Sequence, residues 1–166
     1  MTAPLPPMPG LPALTDHLAC VVRGQSYRAR QAATGAAAST TMRRVKRVAE
    51  ARAHPDFDAV VVALERAQPA KVTRETLAAA LTLTPDSLQA AEERIAKMEA
   101  EGRAELLMGD MPVALVSTAK GDAQIDRRAA LACLALGWLV PETLTSAARV
   151  RRFTLRRPPA AQKAAR

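Results

Sequence analysis

The apolar side chains of this chain are mostly small, and this feature constrains its fold more than any other. Alanine supplies 37 of the 81 apolar residues, and only four side chains are aromatic. Alanine favours helices and fills little volume, whereas a β-sandwich or barrel needs more branched and aromatic residues. A chain of 166 residues is nevertheless long enough to bury a core. We therefore predict closely packed helices.

Positive charge is concentrated towards the two ends of the chain. The net charge is +8, divided into +6 for residues 1–53, −5 for 54–125 and +7 for 126–166. Arginine accounts for 19 of the 24 cations and binds phosphates and base edges better than lysine does. The pattern favours a protein whose ends bind a polyanion. The alternative is that the charge only improves solubility.

Several functional classes lack their usual signals. No apolar run is long enough to span a membrane and no signal peptide is recognisable, so we expect a cytoplasmic, nucleoid-associated protein. Nucleotide-binding and hydrolase motifs are missing, so we expect neither enzymatic activity nor a cofactor nor a small-molecule substrate. Cys20 and Cys133 lack metal-ligand spacing. The segment 54–58, His-Pro-Asp-Phe-Asp, could suggest acid–base chemistry, but it is more typical of a helix start.

Proline and glycine divide the chain into segments. The predicted fold class is mainly α with a small β-hairpin or wing, in which an N-terminal helix-turn-helix precedes a winged-helix-like unit. The predicted segments are a disordered proline-rich tail at 1–12, the helix-turn-helix at 13–54, the winged-helix-like α+β unit at 55–156, and a basic tail at 157–166.

The first unit is predicted to contain three helices. The first starts with Thr15 or Asp16 as its cap, the second runs over 27–33, and the third runs from about residue 39 to 53. Gly35 suits the left-handed position that ends the second helix. Met42, Val45, Val48 and Ala49 are predicted to form the buried stripe of the third helix.

The opposite face of this third helix is the candidate nucleic-acid surface. In a helix-turn-helix, the N-terminal side chains of the second helix contact base edges in the major groove. Arginine binds guanine, hydroxyl groups adapt to several edges, and the later cations suit phosphates. The alternative is an ordinary solvated helix face. The candidate residues are Ser39, Thr40, Thr41, Arg43, Arg44, Lys46 and Arg47.

The second unit is predicted to contain helices and then a hairpin, the order of a winged helix. The predicted helices cover 57–67, a segment opened by Thr73 that carries Leu77, Ala78 and Leu81, 85–101 and 124–136. The hairpin strands cover 105–108 and 113–117. The helix at 85–101 would be the recognition helix, yet it carries four glutamates, which repel phosphate. We therefore expect this unit to contact protein.

The C-terminal part is predicted to contribute a core anchor and a second basic surface. Trp138 is the largest apolar side chain of the chain and is expected in the core. The alternating segment 149–156 is predicted to be an edge strand with a basic face, which adds Arg151 and Arg152 to the nucleic-acid candidates.

Segments along the chain resemble a domain of alphaproteobacterial activators of gene transfer agents, which are domesticated phage-like particles. Residues 35–48, GAAASTTMRRVKRV, resemble the helix-turn-helix run of that family, and PDFD at 55–58 resembles its Asp-Asp-Pro-Leu-Val-Asp element. The C-terminal half of the family domain resembles four further segments of this chain: 109–116, Asp126-Arg127, 136–139 and 150–154. The likeness covers about 25–156. The family has a small residue four positions before the turn glycine, where this chain has Gln31. It has an acidic pair before the proline, where this chain has Ala53-His54.

The resemblance implies a transcription regulator of a gene-transfer-agent cluster. Some family members carry a separate DNA-binding module. Others stand alone and are similar in role to the Q-type antiterminators of lambdoid phages, which join RNA polymerase and Nus factors and read through terminators. The present chain looks like the stand-alone form, so its implied partners are DNA and RNA polymerase, with Nus factors and nascent RNA as further candidates.

Three hypotheses remain open at this point. The first is an antitermination or activation factor that holds nucleic acid through its basic helix and polymerase through its acidic unit. The second is a conventional, dimeric DNA-binding activator or repressor that uses the same helix. The third is an adaptor protein whose basic ends only solubilise it.

Overall fold

The computed structural model of the chain describes residues 8–102, 104–143 and 148–158. These residues form a mainly helical protein with one antiparallel sheet. The helices are α1 (Leu11–His17, continued by a π-helical turn at Leu18–Val22), α2 (Tyr27–Thr34), α3 (Ala38–Ala51), α4 (Pro55–Ala67), α5 (Arg74–Ala80), α6 (Pro85–Ala100) and α7 (Arg127–Ala135). The strands are β1 (Glu105–Met108), β2 (Val113–Thr118), β3 (Gly121–Asp126), β4 (Leu139–Pro141) and β5 (Arg151–Leu155).

The strands lie in the order β3-β2-β1-β5-β4, so the predicted hairpin is part of a larger sheet. The pairing of β1 with β2 confirms that hairpin. The prediction of a helix from Gln124 was wrong, because Gln124 lies in β3 and Asp126 caps α7 by accepting a hydrogen bond from Arg128 N. Only Ile125 is buried among the six described residues of β3, so the strand has almost no apolar alternation by which to recognise it.

The prediction that the basic segment at 149–156 is an edge strand was also wrong. Strand β5 lies between β1 and the short strand β4, which was not predicted. Residues 151, 153 and 155 of β5 are buried, whereas 152 and 154 face solvent. The period of two along a strand therefore places Arg151 on the core side of the sheet.

Most predicted helix boundaries are confirmed by their caps. Ser26 Oγ accepts a hydrogen bond from Ala29 N at 3.1 Å, and Gly35 ends α2 with a positive φ of 73°. At α6, Thr84 Oγ1 accepts from Ser87 N at 3.2 Å, and Pro85 fills the first position. These side chains satisfy the N–H groups that a helix leaves unpaired at its start.

The first helix begins earlier than predicted. It starts at Leu11 after Gly10, with Pro12 in its first turn, so Thr15 does not cap it. The hydroxyl of Thr15 instead donates to Leu11 O and accepts from Val72 N, which ties α1 to the segment before α5. Pro9 is buried, so residues 8–12 do not belong to a disordered tail. Residues 1–7 of the predicted tail and 159–166 of the basic tail lie outside the described residues.

One apolar core joins the two predicted units. The same cluster of buried side chains contains Leu14 and Val48 of the N-terminal helices and Leu64, Leu106 and Phe153 of the later elements. Helix α7 runs through this core, and Trp138 after it is buried, as predicted. Burial of each large apolar side chain contributes about 1.5–3 kcal/mol, so the N-terminal helices and the sheet stabilise one another.

Candidate nucleic-acid interface

The buried residues of α3 show which face of the helix lies against the core and which face is turned to solvent. Thr41, Val45, Val48 and Ala51 are buried, and the helix packs against α1 and α2. Val45 and Val48 are buried as predicted, whereas the other two members of the predicted stripe, Met42 and Ala49, are exposed, and Thr41 and Ala51 lie in the core instead. Apolar character misled the prediction here, since a threonine was assigned to the surface and a methionine to the interior.

The outer face of α3 carries a stripe of exposed polar and cationic side chains, which we call the α3 stripe: Ser39, Arg43, Lys46 and Arg47. Their spacing of three and four residues puts them on one side of a helix. Arg43 Nε donates to Ser39 O at 3.3 Å, so its side chain lies back along the helix towards the N-terminus. Lys46 Nζ lies 3.8 Å from Glu50 Oε1, and its side chain is 76% exposed. The stripe thus presents three cations within little more than one turn.

Three other predicted contact residues of α3 are not on this stripe. The side chain of Thr41 is fully buried, and its hydroxyl has no hydrogen-bond partner among the described residues. Thr40 is half-buried. Arg44 Nη1 donates to Asp16 Oδ2 at 3.1 Å. A buried side chain cannot reach a nucleic acid, so Thr41 leaves the candidate set, and Arg44 has a structural partner.

Asp16 of α1 holds both α2 and α3. Its buried carboxylate accepts from Arg30 Nε of α2 at 2.8 Å and from Arg44 of α3. None of the eight described residues of α2 is buried, so apolar burial contributes little to the position of this helix. We call Asp16, Arg30 and Arg44 the Asp16 cluster. It sets how α2 and α3 lie against α1, and it was missed because Asp16 was interpreted as a helix cap.

A second set of ion pairs connects the N-terminal helices to α4. Arg52 donates to Asp58 Oδ1 and to Glu65 Oε1, each at 2.6 Å, and His17 Nε2 lies 2.9 Å from the same oxygen of Glu65. Burial alone would raise the pKa of Glu65, but the hydrogen bonds from His17 and Arg52 outweigh it and hold that pKa below its ordinary value. These ion pairs attach α1 and the C-terminal end of α3 to α4, and they help to fix the position of the α3 stripe.

Arg151, a predicted nucleic-acid contact, is instead buried in an ionic centre. Its side chain is 6% exposed, and it binds Asp56 through Nε–Oδ2 at 2.5 Å and Nη2–Oδ1 at 2.9 Å. Arg127 Nη2 donates to Asp56 Oδ1 at 3.0 Å. The hydrogen bond to Asp56 raises the pKa of Arg151. These three residues form the Asp56 cluster, which joins the start of α4 to β5 and α7. Arg151 therefore leaves the candidate set.

Arg152 keeps the exposed position predicted for it. Its side chain is 61% exposed, and Nη1 lies 4.0 Å from Glu105 Oε2 on the neighbouring strand β1. Such a pair at the surface contributes little and leaves the guanidinium accessible. Arg152 and the exposed Arg156 lie on the solvent side of the C-terminal segment.

Helix α6 exposes fewer acidic side chains than the sequence indicated. Glu92 turns inwards, where it pairs with Arg74 of α5 and accepts a hydrogen bond from Trp138 Nε1 at 3.1 Å. Asp86 and Glu93 remain exposed, whereas Glu99 and Glu101 are half-buried. Glu92 thus stabilises the packing of α5, α6 and the segment after α7. Asp86 and Glu93 are the exposed carboxylates that α6 presents.

No family model matches the chain, and no match is found among curated proteins or among solved structures. The resemblance to the gene-transfer-agent activators remains a hypothesis. None of the described helices is both long and apolar enough to cross a membrane. The described residues contain no group of three or more histidine, cysteine or acidic side chains that could hold a metal ion.

Proposed function

We propose that this protein is a transcription regulator that binds nucleic acid through the α3 stripe. In this proposal α2 and α3 act as a helix-turn-helix, and α4 to β5 act as a winged-helix-like unit. The gene cluster under control is that of a gene transfer agent. The observation that supports it best is the exposed row of Ser39, Arg43, Lys46 and Arg47 on a helix whose inner face is fixed by the core.

The residues of the stripe suit different parts of a duplex. Ser39 and Arg43 lie in the first turns of α3, where a recognition helix meets base edges, and arginine can bind guanine through two hydrogen bonds. Lys46 and Arg47 follow one turn later and suit phosphates. Attraction to phosphates is independent of sequence, so these two cations supply affinity and the first two residues supply specificity.

The other two surfaces give the protein its proposed mode of action. The basic side of the C-terminal segment, with Arg152 and Arg156, provides a second position for DNA or nascent RNA. The exposed carboxylates of α6, Asp86 and Glu93, repel phosphate and suit a basic protein surface. We assign the partner at α6 as RNA polymerase, with Nus factors as further components, and the activity as antitermination or activation.

Nucleic-acid binding by the stripe is tested with Lys46→Ala and a matched control. Lys120 is 72% exposed and lies 4.0 Å from Glu101, which closely matches the surroundings of Lys46 near Glu50. Titration of a duplex at several salt concentrations should show that Lys46→Ala lowers the salt-dependence slope by about 0.9 for one lost phosphate contact. Lys120→Ala should leave the slope unchanged. Equal slopes in both variants would remove α3 from the proposal.

The mode of action is tested with a terminator placed before a reporter gene. Under the proposal, transcripts pass the terminator only when the protein is present, and they still do so after the promoter is exchanged while the recruitment site is kept. RNA polymerase should also co-purify with the protein, and charge reversal of Asp86 and Glu93 should reduce its recovery. A change in initiation frequency alone would instead indicate a conventional DNA-binding activator or repressor.

A further inference from the structure

A groove of about 780 Å³ lies beside the Asp16 cluster, away from the residues of the α3 stripe. Helix α1, the end of α2 and the segment that leads into α5 form its walls. Volumes of about 300–1,000 Å³ are typical of sites for small molecules. The lining of the groove includes Leu11, Arg30, Arg44, Ala70 and Lys71.

The groove carries more positive than negative charge. Arg30, Arg44, Lys71 and Arg74 line it, and Asp16 is the one acidic side chain among the described residues of its lining. Arg74 is paired with Glu92 behind it. The remaining three cations therefore face a single carboxylate.

The cations of the groove have unused hydrogen-bond donors. Arg30 and Arg44 each donate one N–H to Asp16, and a guanidinium has five. The ammonium group of Lys71 makes no hydrogen bond to any described residue and is exposed. An incoming anion could accept from all three side chains without breaking the bonds to Asp16.

The rest of the lining combines apolar side chains with three threonines. Leu11 packs against the core with one side and, together with Pro12, Ala36 and Ala70, gives the groove an accessible apolar surface. A phosphate group of a nucleic acid would satisfy the cations but would leave this apolar surface uncovered. A ligand that covers both needs an anionic head and an apolar body.

We propose that this groove binds a small organic anion, a carboxylate or phosphate monoester attached to an apolar body. Arg30, Arg44 and Lys71 bind the anionic head, and Leu11 and Ala70 contact the body. The ligand bridges α2 and α3 through their arginines and reinforces the attachment of both helices to α1. This site is distinct from the α3 stripe, and it stands or falls independently of nucleic-acid binding.

The probe for a first test is 1-naphthyl phosphate, which has both required parts, and its binding is measured by calorimetry. The neutral 1-naphthol and inorganic phosphate each lack one part, so each should bind at least about tenfold more weakly, which corresponds to about 1.4 kcal/mol. 1-Naphthoate should bind because it keeps the charge. If 1-naphthol binds as tightly as 1-naphthyl phosphate, the anion-binding role of the cations is refuted.

Two variants place the bound probe in the groove. Lys71→Glu removes an exposed cation without a hydrogen-bond partner among the described residues, and Ala70→Trp fills the opening from an exposed position, so both should fold as the parent does by circular dichroism. Each should weaken binding of 1-naphthyl phosphate by about tenfold or more. Lys97→Glu, the same change on the exposed face of α6, should not alter it. Unchanged binding in both groove variants, or no binding of the probe to the parent protein at millimolar concentration, would overturn the proposal.

Discussion

Two buried aspartates of this molecule are each shared by two arginines, yet their surroundings differ. Asp16 binds Arg30 and Arg44 through one hydrogen bond each, and these partners lie 14 and 28 residues along the chain. Asp56 binds Arg151 through both carboxylate oxygens and also binds Arg127, and these partners lie 95 and 71 residues away. The Asp16 cluster opens onto a groove, whereas Arg151 is enclosed.

The pairing of a buried aspartate with two arginines serves two different purposes in this molecule. A carboxylate enclosed with a bidentate arginine has a fixed geometry, so the Asp56 cluster fastens distant parts of the chain together. A carboxylate whose arginines keep unused donors facing a groove permits further binding.

The largest effect is expected for Asp56→Ala. The change leaves Arg151 buried without its main partner, and the loss of one member of a buried ion pair costs about 3–5 kcal/mol. Urea unfolding measures the free energy of unfolding directly. The control is Asp58→Ala, which removes a partly exposed carboxylate two residues away. Similar losses in both variants would contradict the special role of the enclosed cluster.

A smaller loss is expected for Asp16→Ala. Its arginines border the groove and can be rehydrated, so we expect a loss of about 1–3 kcal/mol. Because α2 has no buried residue of its own, amide hydrogen exchange should accelerate in α2 more than in α3. Equal protection of α2 in the parent and the variant would show that the Asp16 cluster does not hold this helix.

The Asp56 region should also give stability a dependence on pH through His54. Burial lowers the pKa of His54; Asp56 opposes this shift and Arg151 adds to it. The unfolded state therefore takes up a proton first as the pH falls below the ordinary histidine value of about 6.5. Stability is fully present above that value and is lost progressively below it, down to the folded pKa. His54→Phe should weaken this part of the pH dependence, as measured by thermal unfolding between pH 7.5 and 5.

The smallest effect is expected for Arg152→Ala. This side chain faces solvent next to Glu105, so its removal should change stability by no more than about 0.5 kcal/mol. Its neighbour Arg151→Ala should cost several-fold more, because it leaves Asp56 without its bidentate partner. If the two adjacent variants lose the same stability, the alternation of buried and exposed residues along β5 does not govern their energetics.

Local signals in the sequence predicted most of the helices, because the responsible residues are close in sequence. Ser26, Gly35 and the pair Thr84-Pro85 mark helix ends through bonds to residues within four positions. The exposed stripe of α3 was mostly recognisable for the same reason, although Met42 and Ala49 were wrongly assigned to its inner face.

The long-range contacts were not predictable in this way. Nothing near Asp56 indicates that residues 127 and 151 bind it, and the basic run at 149–156 therefore resembled a surface strand. The position of β5 between β1 and β4 depends on its pairing with β1, which joins residues 43 to 49 positions apart and which no local pattern encodes. The groove beside Asp16 likewise combines residues of α1, α2, α3 and the segment before α5.

The central position of β5 also affects the order in which the protein can be completed during synthesis. The ribosome releases α1 to β3 well before β5, so one edge of β1 lacks its second neighbour until residues 151–155 emerge. Asp56 likewise lacks Arg151 until then, and β4 has β5 as its strand partner among the described residues. Nascent chains therefore expose an open sheet edge and an incompletely paired carboxylate until β5 has been synthesised. Chaperones and proteases would encounter the protein in this state.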